Sequence, residues 1–211
     1  MKELLNNIVS NDYAHAKWLN TLSLMENCGA RKISACEDFS FTNIIQLKHA
    51  AEEHRHAYYL KKQLQKLGLE GFERYTKDNL LAGFSSMQYL NRLDVSVSRY
   101  LKNSLNLQGI PLKYASYLFV TYAIELRADE LYPIYQEVLS AHESKVVVKS
   151  IILEEEGHLE EMISQLKEFS KDWEKYANEI CALEQDLFQA WIAELKKDIP
   201  SGKIKDDVLV G

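Results

Sequence analysis

A chain of 211 residues, 46% hydrophobic and 27% charged, is too apolar for a disordered protein. It is also long enough to bury a core without disulfides or a structural metal. Its 25 basic and 31 acidic residues give a net charge of −6, so no nucleic-acid specificity is expected. Eight Gly and three Pro are too few turn residues for a sandwich or barrel, which turns about every 8–12 residues.

Helix punctuation then divides the chain in order. A short helix precedes Asn11 or Asp12, either of which caps a first long helix over about 11–33. Ser40 caps a second, over 40–67, which stops at Gly68, a residue type favoured just past helix C-termini. Asp78 opens a third, over about 79–104. Pro111 suits the first turn of a fourth, over 111–140, which Pro133 should kink near Asp129. A fifth covers 143–169, and Ser170 caps a sixth that ends near Lys197. The tail, 198–211, is expected to be extended. With no alternating strand pattern, repeat or linker, the expectation is one all-α domain spanning 1–211. The longest apolar stretch, Ala115 to Ile124, is short of the ~18 residues a membrane span needs, and the first residues lack an apolar signal-peptide core. Cys28, Cys36 and Cys181 form no Cys-x-x-Cys pair, which fits a reduced, cytoplasmic setting.

Four of these helices carry apolar stripes at helical spacing, and each stripe is interrupted by an acid. Glu26 shares a face with Leu19, Leu22 and Ile33, and Glu53 with Ala57 and Leu60. Glu125 shares a face with Leu118, Thr121 and Tyr132, and Glu155 with Val148, Ile151, Leu159 and Met162. His56 and His158 follow Glu53 and Glu155 by three residues, one turn along the same face. Four buried carboxylates cost several kcal/mol each unless paired or bound to metal. With 21 Glu and 6 His in the chain, chance supplies fewer than one Glu-x-x-His pair, and the order of the residues adds more. A lone acid precedes each pair, by 27 residues from Glu26 to Glu53 and by 30 from Glu125 to Glu155. Each interval is one helix, a turn and a return to the same level.

Four Glu and two Glu-x-x-His histidines at these positions resemble the ferritin-like di-iron carboxylate superfamily. The resemblance covers about residues 10–170. It implies a four-helix bundle with an inserted crossover helix and an extra C-terminal helix. It also implies two metal ions, iron foremost with Mn/Fe or Mn/Mn as alternatives. By this resemblance Glu53 and Glu155 bridge the metals, Glu26 and Glu125 are terminal ligands, and His56 and His158 each bind one ion. The absence of Cys-x-x-Cys and the added helices fit small di-iron oxygenases and oxidases better than iron-storage cages. The function implied is O2 activation toward a small organic or lipid-like substrate, with an external electron donor unless the substrate supplies electrons. Ferroxidase or peroxide-scavenging metal handling, and a non-catalytic helical protein with a structural metal, are the alternatives. A homodimer is an open assembly.

Around the six ligands, His49 is an additional ligand, a supporting donor or a core residue. Asp129 is the candidate acceptor for the outer N–H of a metal-bound histidine. Tyr122 and Tyr132 either approach the metals or pack. Glu52, Glu154 and Glu156 point about 100° away from the ligand face and are set aside. His15 falls on the Glu26 face at the bundle end, and Asp94 is expected to bind no metal.

Overall fold

The computed structural model describes residues 1–38, 40–41 and 43–199, except the side chain of Glu156. Among the described residues the regular structure is all helical, with no strand. The helices are α1 (Lys2–Val9), α2 (Asp12–Ala35), α3 (Ile44–Gln65), α4 (Gly83–Leu105), α5 (Gly109–Ala141), α6 (Lys149–Phe169) and α7 (Trp173–Asp198). A single 3₁₀ turn, Lys77–Asn79, precedes α4. No described helix is long and apolar enough to cross a membrane. The expected tail falls, from residue 200 onward, outside the described residues.

Local chemistry explains most boundaries. Asn11 caps α2 by accepting from the Ala14 N–H at 2.8 Å, which satisfies one of the orphan donors of the first turn. The second long helix starts later than expected. Asn43, not Ser40, is its cap, accepting from the N–H groups of Ile45 and Gln46. The third also starts late. Leu80 and Leu81 are buried, and the Leu81 N–H donates to Thr21 Oγ1 at 3.0 Å, so this stretch is spent anchoring the chain to α2. Gly83 then starts α4 so close to the Lys77 backbone that a Cβ would stand 2.3 Å from the carbonyl oxygen.

The largest boundary correction concerns residues 143–148, expected as the start of the fifth helix. Val146 and Val148 are fully buried. The N–H groups of Val147 and Val148 donate to the side chains of Gln63 (3.0 Å) and Gln136 (2.8 Å). Three consecutive β-branched residues favour such a conformation over helix. The fourth helix, in contrast, continues through Pro133 to Ala141.

Helix α2 packs chiefly on α3, and α5 on α6, while α4 and α7 pack on each other and on α5. Two apolar cores result. One gathers α1, Leu19 and Leu22 of α2, Leu60 of α3, Leu131 and Tyr135 of α5, and Trp191 and Leu195 of α7. The other gathers Ile33, Ala50, Leu118, Ala123, Met162, Trp173 and Ile180. On each of α2, α3, α5 and α6 the expected acid lies between residues of the first core and residues of the second.

In the first core, His15 is 1% exposed and its Nε2 is 2.6 Å from the Tyr135 hydroxyl. Burial, with the charge of His142 adding to it, pushes its pKa down to about 4. The unfolded chain therefore takes up a proton below about 6.5 that the fold refuses until about 4. Stability is present above the unfolded pKa and is lost as pH falls through this window, approaching roughly 3 kcal/mol at its acid end. His15→Gln should flatten the decline measured by urea unfolding at pH 7 and pH 5, by about 2 kcal/mol. Equal declines in the two proteins would show that His15 is not held neutral.

Candidate metal centre

Glu53 and His56 are one turn apart on α3, as are Glu155 and His158 on α6, so each pair shares a face. Glu53, Glu125, Glu155, His56 and His158 are all buried, and Glu26 is half-buried. Donor atoms of Glu26, Glu53 and His56 lie within 4.8 Å of one another, as do those of Glu53, Glu155 and His158. Glu53 belongs to both groups. Glu155 spans the two histidines, with Oε1 3.0 Å from His56 Nδ1 and Oε2 3.1 Å from His158 Nδ1. Glu125 Oε1 stands 3.7 Å from His158 Nδ1. Tyr132, the buried aromatic of the Glu125 stripe, donates its hydroxyl to Glu26.

The histidines are oriented by residues that helical spacing set aside. His56 donates Nε2–H to Glu154 at 2.8 Å, and His158 donates Nε2–H to Glu52 at 2.7 Å. Each acid immediately precedes a ligand-position Glu and reaches across to the histidine of the opposite helix. Arg55 joins the two, donating to Glu154 at 2.7 Å and to Glu52 at 3.4 Å. The signal available in the sequence was the repeated doublet, Glu52-Glu53 and Glu154-Glu155.

One other expectation, Asp129, needs correction, and the open ones are decided. Asp129 is exposed and does not support a histidine, because the outer nitrogens are already taken by Glu52 and Glu154. Tyr122 turns away and packs edge-on against Trp173, with ring centroids 5.8 Å apart. His49 is buried with both nitrogens engaged, Nε2 with Glu161 at 2.9 Å and Nδ1 with the Tyr117 hydroxyl at 3.0 Å. Its ring lies 5.0 Å from that of His158, so it packs behind a ligand-position histidine. Asp94 is ion-paired with Lys32 at 2.9 Å, outside both donor groups.

The electrostatics are those of buried acids packed closely together. Burial first, then the charges of Glu26, Glu155 and Glu125, hold the Glu53 carboxyl well above the usual range. Burial and Glu155 do the same to Glu125. Burial opposes charge on both histidines, but their carboxylate neighbours overcome it, pushing His56 up to about 9 and His158 up to about 11. Glu155, despite its burial, is held below the usual range by its hydrogen bonds with Glu125 and His158 and by the charge of the adjacent His56. Two cationic histidines thus offset part of the acid charge.

Two observations bear on whether this donor set fits metal. His56 Nδ1 is buried and, despite its 3.0 Å approach to Glu155, out of line for a hydrogen bond. Such an orphaned nitrogen, in an imidazole whose other nitrogen is fixed by a carboxylate, is poised as a ligand. Carboxylate oxygens with one imidazole in each group also suit first-row divalent ions. The donor set fits two metal ions.

An apolar cavity, open to solvent, lies among α2, α4, α5 and α7, and all four clustered carboxylates line it. The chain was compared with protein-family models, curated proteins and solved structures, and none matches it.

Proposed function

We propose that the chain is a dinuclear non-haem iron oxidase or oxygenase built on a ferritin-like bundle, acting with O2 on a small organic or lipid-like substrate. Iron is the proposed pair, with Mn/Fe or Mn/Mn as alternatives, and an external electron donor serves unless the substrate supplies electrons. The observation that carries the reading is the apolar cavity opening onto Glu26, Glu53, Glu125 and Glu155. Metal handling alone calls for a charged path to the acids, and a purely structural ion calls for a sealed one.

Two bound ions would supply the O2 chemistry. The chain's own residues do the rest. Glu53 and Glu155 stand where a carboxylate serves both donor groups. Glu154 and Glu52 fix the ring orientation of His56 and His158, presenting each Nδ1 inward. Tyr132 holds Glu26 through its hydroxyl. The lining, among it Leu22, Ile124, Leu131 and Phe188, excludes water and favours an apolar reactant beside the acids.

The test is anaerobic loading with ferrous iron, exposure to O2, and optical spectroscopy with O2-uptake measurement. Rapid O2 consumption with a new near-ultraviolet band, both diminished in His56→Ala and His158→Ala, is expected. Iron binding without O2 consumption would overturn the oxygenase reading. O2 consumption followed by growth of a ferric mineral would point to metal handling instead.

A further inference from the structure

The cavity follows the helices. Its lining runs along α2 from Leu22 past Glu26 and Gly29 to Cys36, and along α5 from Ser116 to Tyr132. Tyr132 meets Glu26, and Lys113 is close enough to Cys36 to act on its charge, so the two helices run in opposite directions. At about 1.5 Å per residue these stretches cover roughly 21 and 24 Å. The hollow is a slot with the length of a long alkyl chain.

Its two ends differ. One is closed by Leu22, Leu90, Leu131, Phe188 and Trp191, all buried. The polar groups at that end are consumed by one another, because Arg127 and Tyr89 both donate to Glu184. At the other end, the Lys32 and Asp94 side chains are 26% and 33% exposed, which places the mouth there. Between the ends, Gly29 leaves the wall bare. A Cβ at that position would come within 3.4 Å of Glu53 Oε2.

We propose that the slot binds a single-chain aliphatic amphiphile, with its tail against Phe188 and Trp191 and an oxygen-bearing head at Lys32. A polar head would be stripped of water at the closed end, whereas at the mouth it keeps its water and shares the Lys32 ammonium with Asp94, which already pairs with it at 2.9 Å. Glu26 and Glu53 lie between the two ends, so they face methylenes in the middle of the chain. That last statement rests on the dinuclear reading above; the binding itself does not.

Metal-free protein provides the test. Hexadecanoate brominated near its methyl end should bind saturably and quench tryptophan fluorescence, and Trp191→Phe should remove most of the quenching. In an unbrominated series read by displacement, affinity should fall about fourfold for each methylene removed. Lys32→Met should weaken hexadecanoate about tenfold and hexadecanol little. Gly29→Leu replaces a helix-interior glycine with a better helix former and obstructs the slot, so it should abolish long-chain binding with helicity unchanged. Should that variant misfold, Leu131→Trp, which fills the closed end, should shift the preference to shorter chains. Affinity independent of chain length, equal binding of compact adamantane-1-carboxylate, or quenching unaffected by Trp191→Phe would overturn the proposal. If chains fail to bind while two metal ions are held, the amphiphile alone is excluded. If chains bind and no metal does, the oxygenase reading falls and the slot stands.

Discussion

Reconstituted with ferrous or manganous ions, the protein should hold two ions per chain, and His56→Ala and His158→Ala should each hold about one. Each histidine belongs to a different donor group, and the two groups share Glu53, so removing one imidazole leaves the other group's nitrogen donor in place. An ion that binds only the fold, present at a hundred times its Kd, adds about 2.7 kcal/mol. Two such ions should raise the melting temperature of a chain this long by roughly 10–20 °C. The effect should grow with pH. His56 and His158 have folded pKa values of about 9 and 11, raised above the unfolded value. Their stabilising contribution in the metal-free protein is complete below about 6.5 and is lost as pH rises through those values. Glu53 and Glu125, also raised, add to that loss, because above the usual carboxylate range the fold keeps protons the unfolded chain releases. Glu155 acts oppositely, through its lowered pKa: its contribution holds above the unfolded value and fades only in acid. Metal replaces these protons, so its stabilisation should be larger at pH 8 than at pH 6. Metal analysis and thermal melts at both pH values check the expectation. Equal metal content in all three proteins would remove the histidines from the site.

Replacing Glu184 with Ala should cost about 3–5 kcal/mol, a loss on the scale of the whole fold's margin. Glu184 is 3% exposed and receives the Arg127 guanidinium through two bonds, Nε at 3.0 Å and a terminal nitrogen at 2.7 Å. Tyr89 donates to the same carboxylate, and the guanidinium stacks 3.9 Å from the centre of the Phe188 ring. Without Glu184 a buried phenol loses its acceptor, and a largely buried cation is left with only Glu130 and Gln185 near the surface. Replacing the pair together, as Arg127→Met with Glu184→Leu, should recover most of the loss, because no desolvated charge is then left unpaired. Urea unfolding of the single and double variants measures the coupling. A single variant within 1 kcal/mol of the parent would mean that water reaches Arg127.

The four clustered acids were legible in the sequence because periodicity reports which face of a helix a residue occupies. Glu26, Glu53, Glu125 and Glu155 interrupt otherwise apolar stripes, and burial of a carboxylate is costly enough to demand an explanation. Periodicity says nothing about what stands on the neighbouring helix. Glu52 and Glu154 lie about 100° off the ligand face, yet in a bundle that offset aims each at the adjacent helix and so at the opposite histidine. Asp129 failed for the converse reason: nearness to Glu125 on a wheel is not nearness to a histidine on another helix. The helix boundaries that slipped, at Asn43, Gly83 and Lys149, all follow segments whose conformation or capping is set by contacts or local hydrogen bonds that a periodic pattern does not register. Leu81 bonded to Thr21 and Val147 bonded to Gln63 are the clearest of these.

The acid layer between two apolar cores also acts as a joint. Both cores include helices from each half of the chain, yet among the described residues Ile124 and Leu187 are the partly buried apolar side chains packed against both. Cohesion between the end that holds α1 and the end that holds Trp173 therefore passes through helix backbones, these two side chains and the carboxylate level. With protons shared unevenly among repelling acids, that level is expected to resist separation weakly, so the two ends should be able to open one without the other. On the dinuclear reading proposed above, cations bonded to residues of all four crossing helices would turn the weakest level of the bundle into its tie, and two regions of separate local stability into one cooperative body.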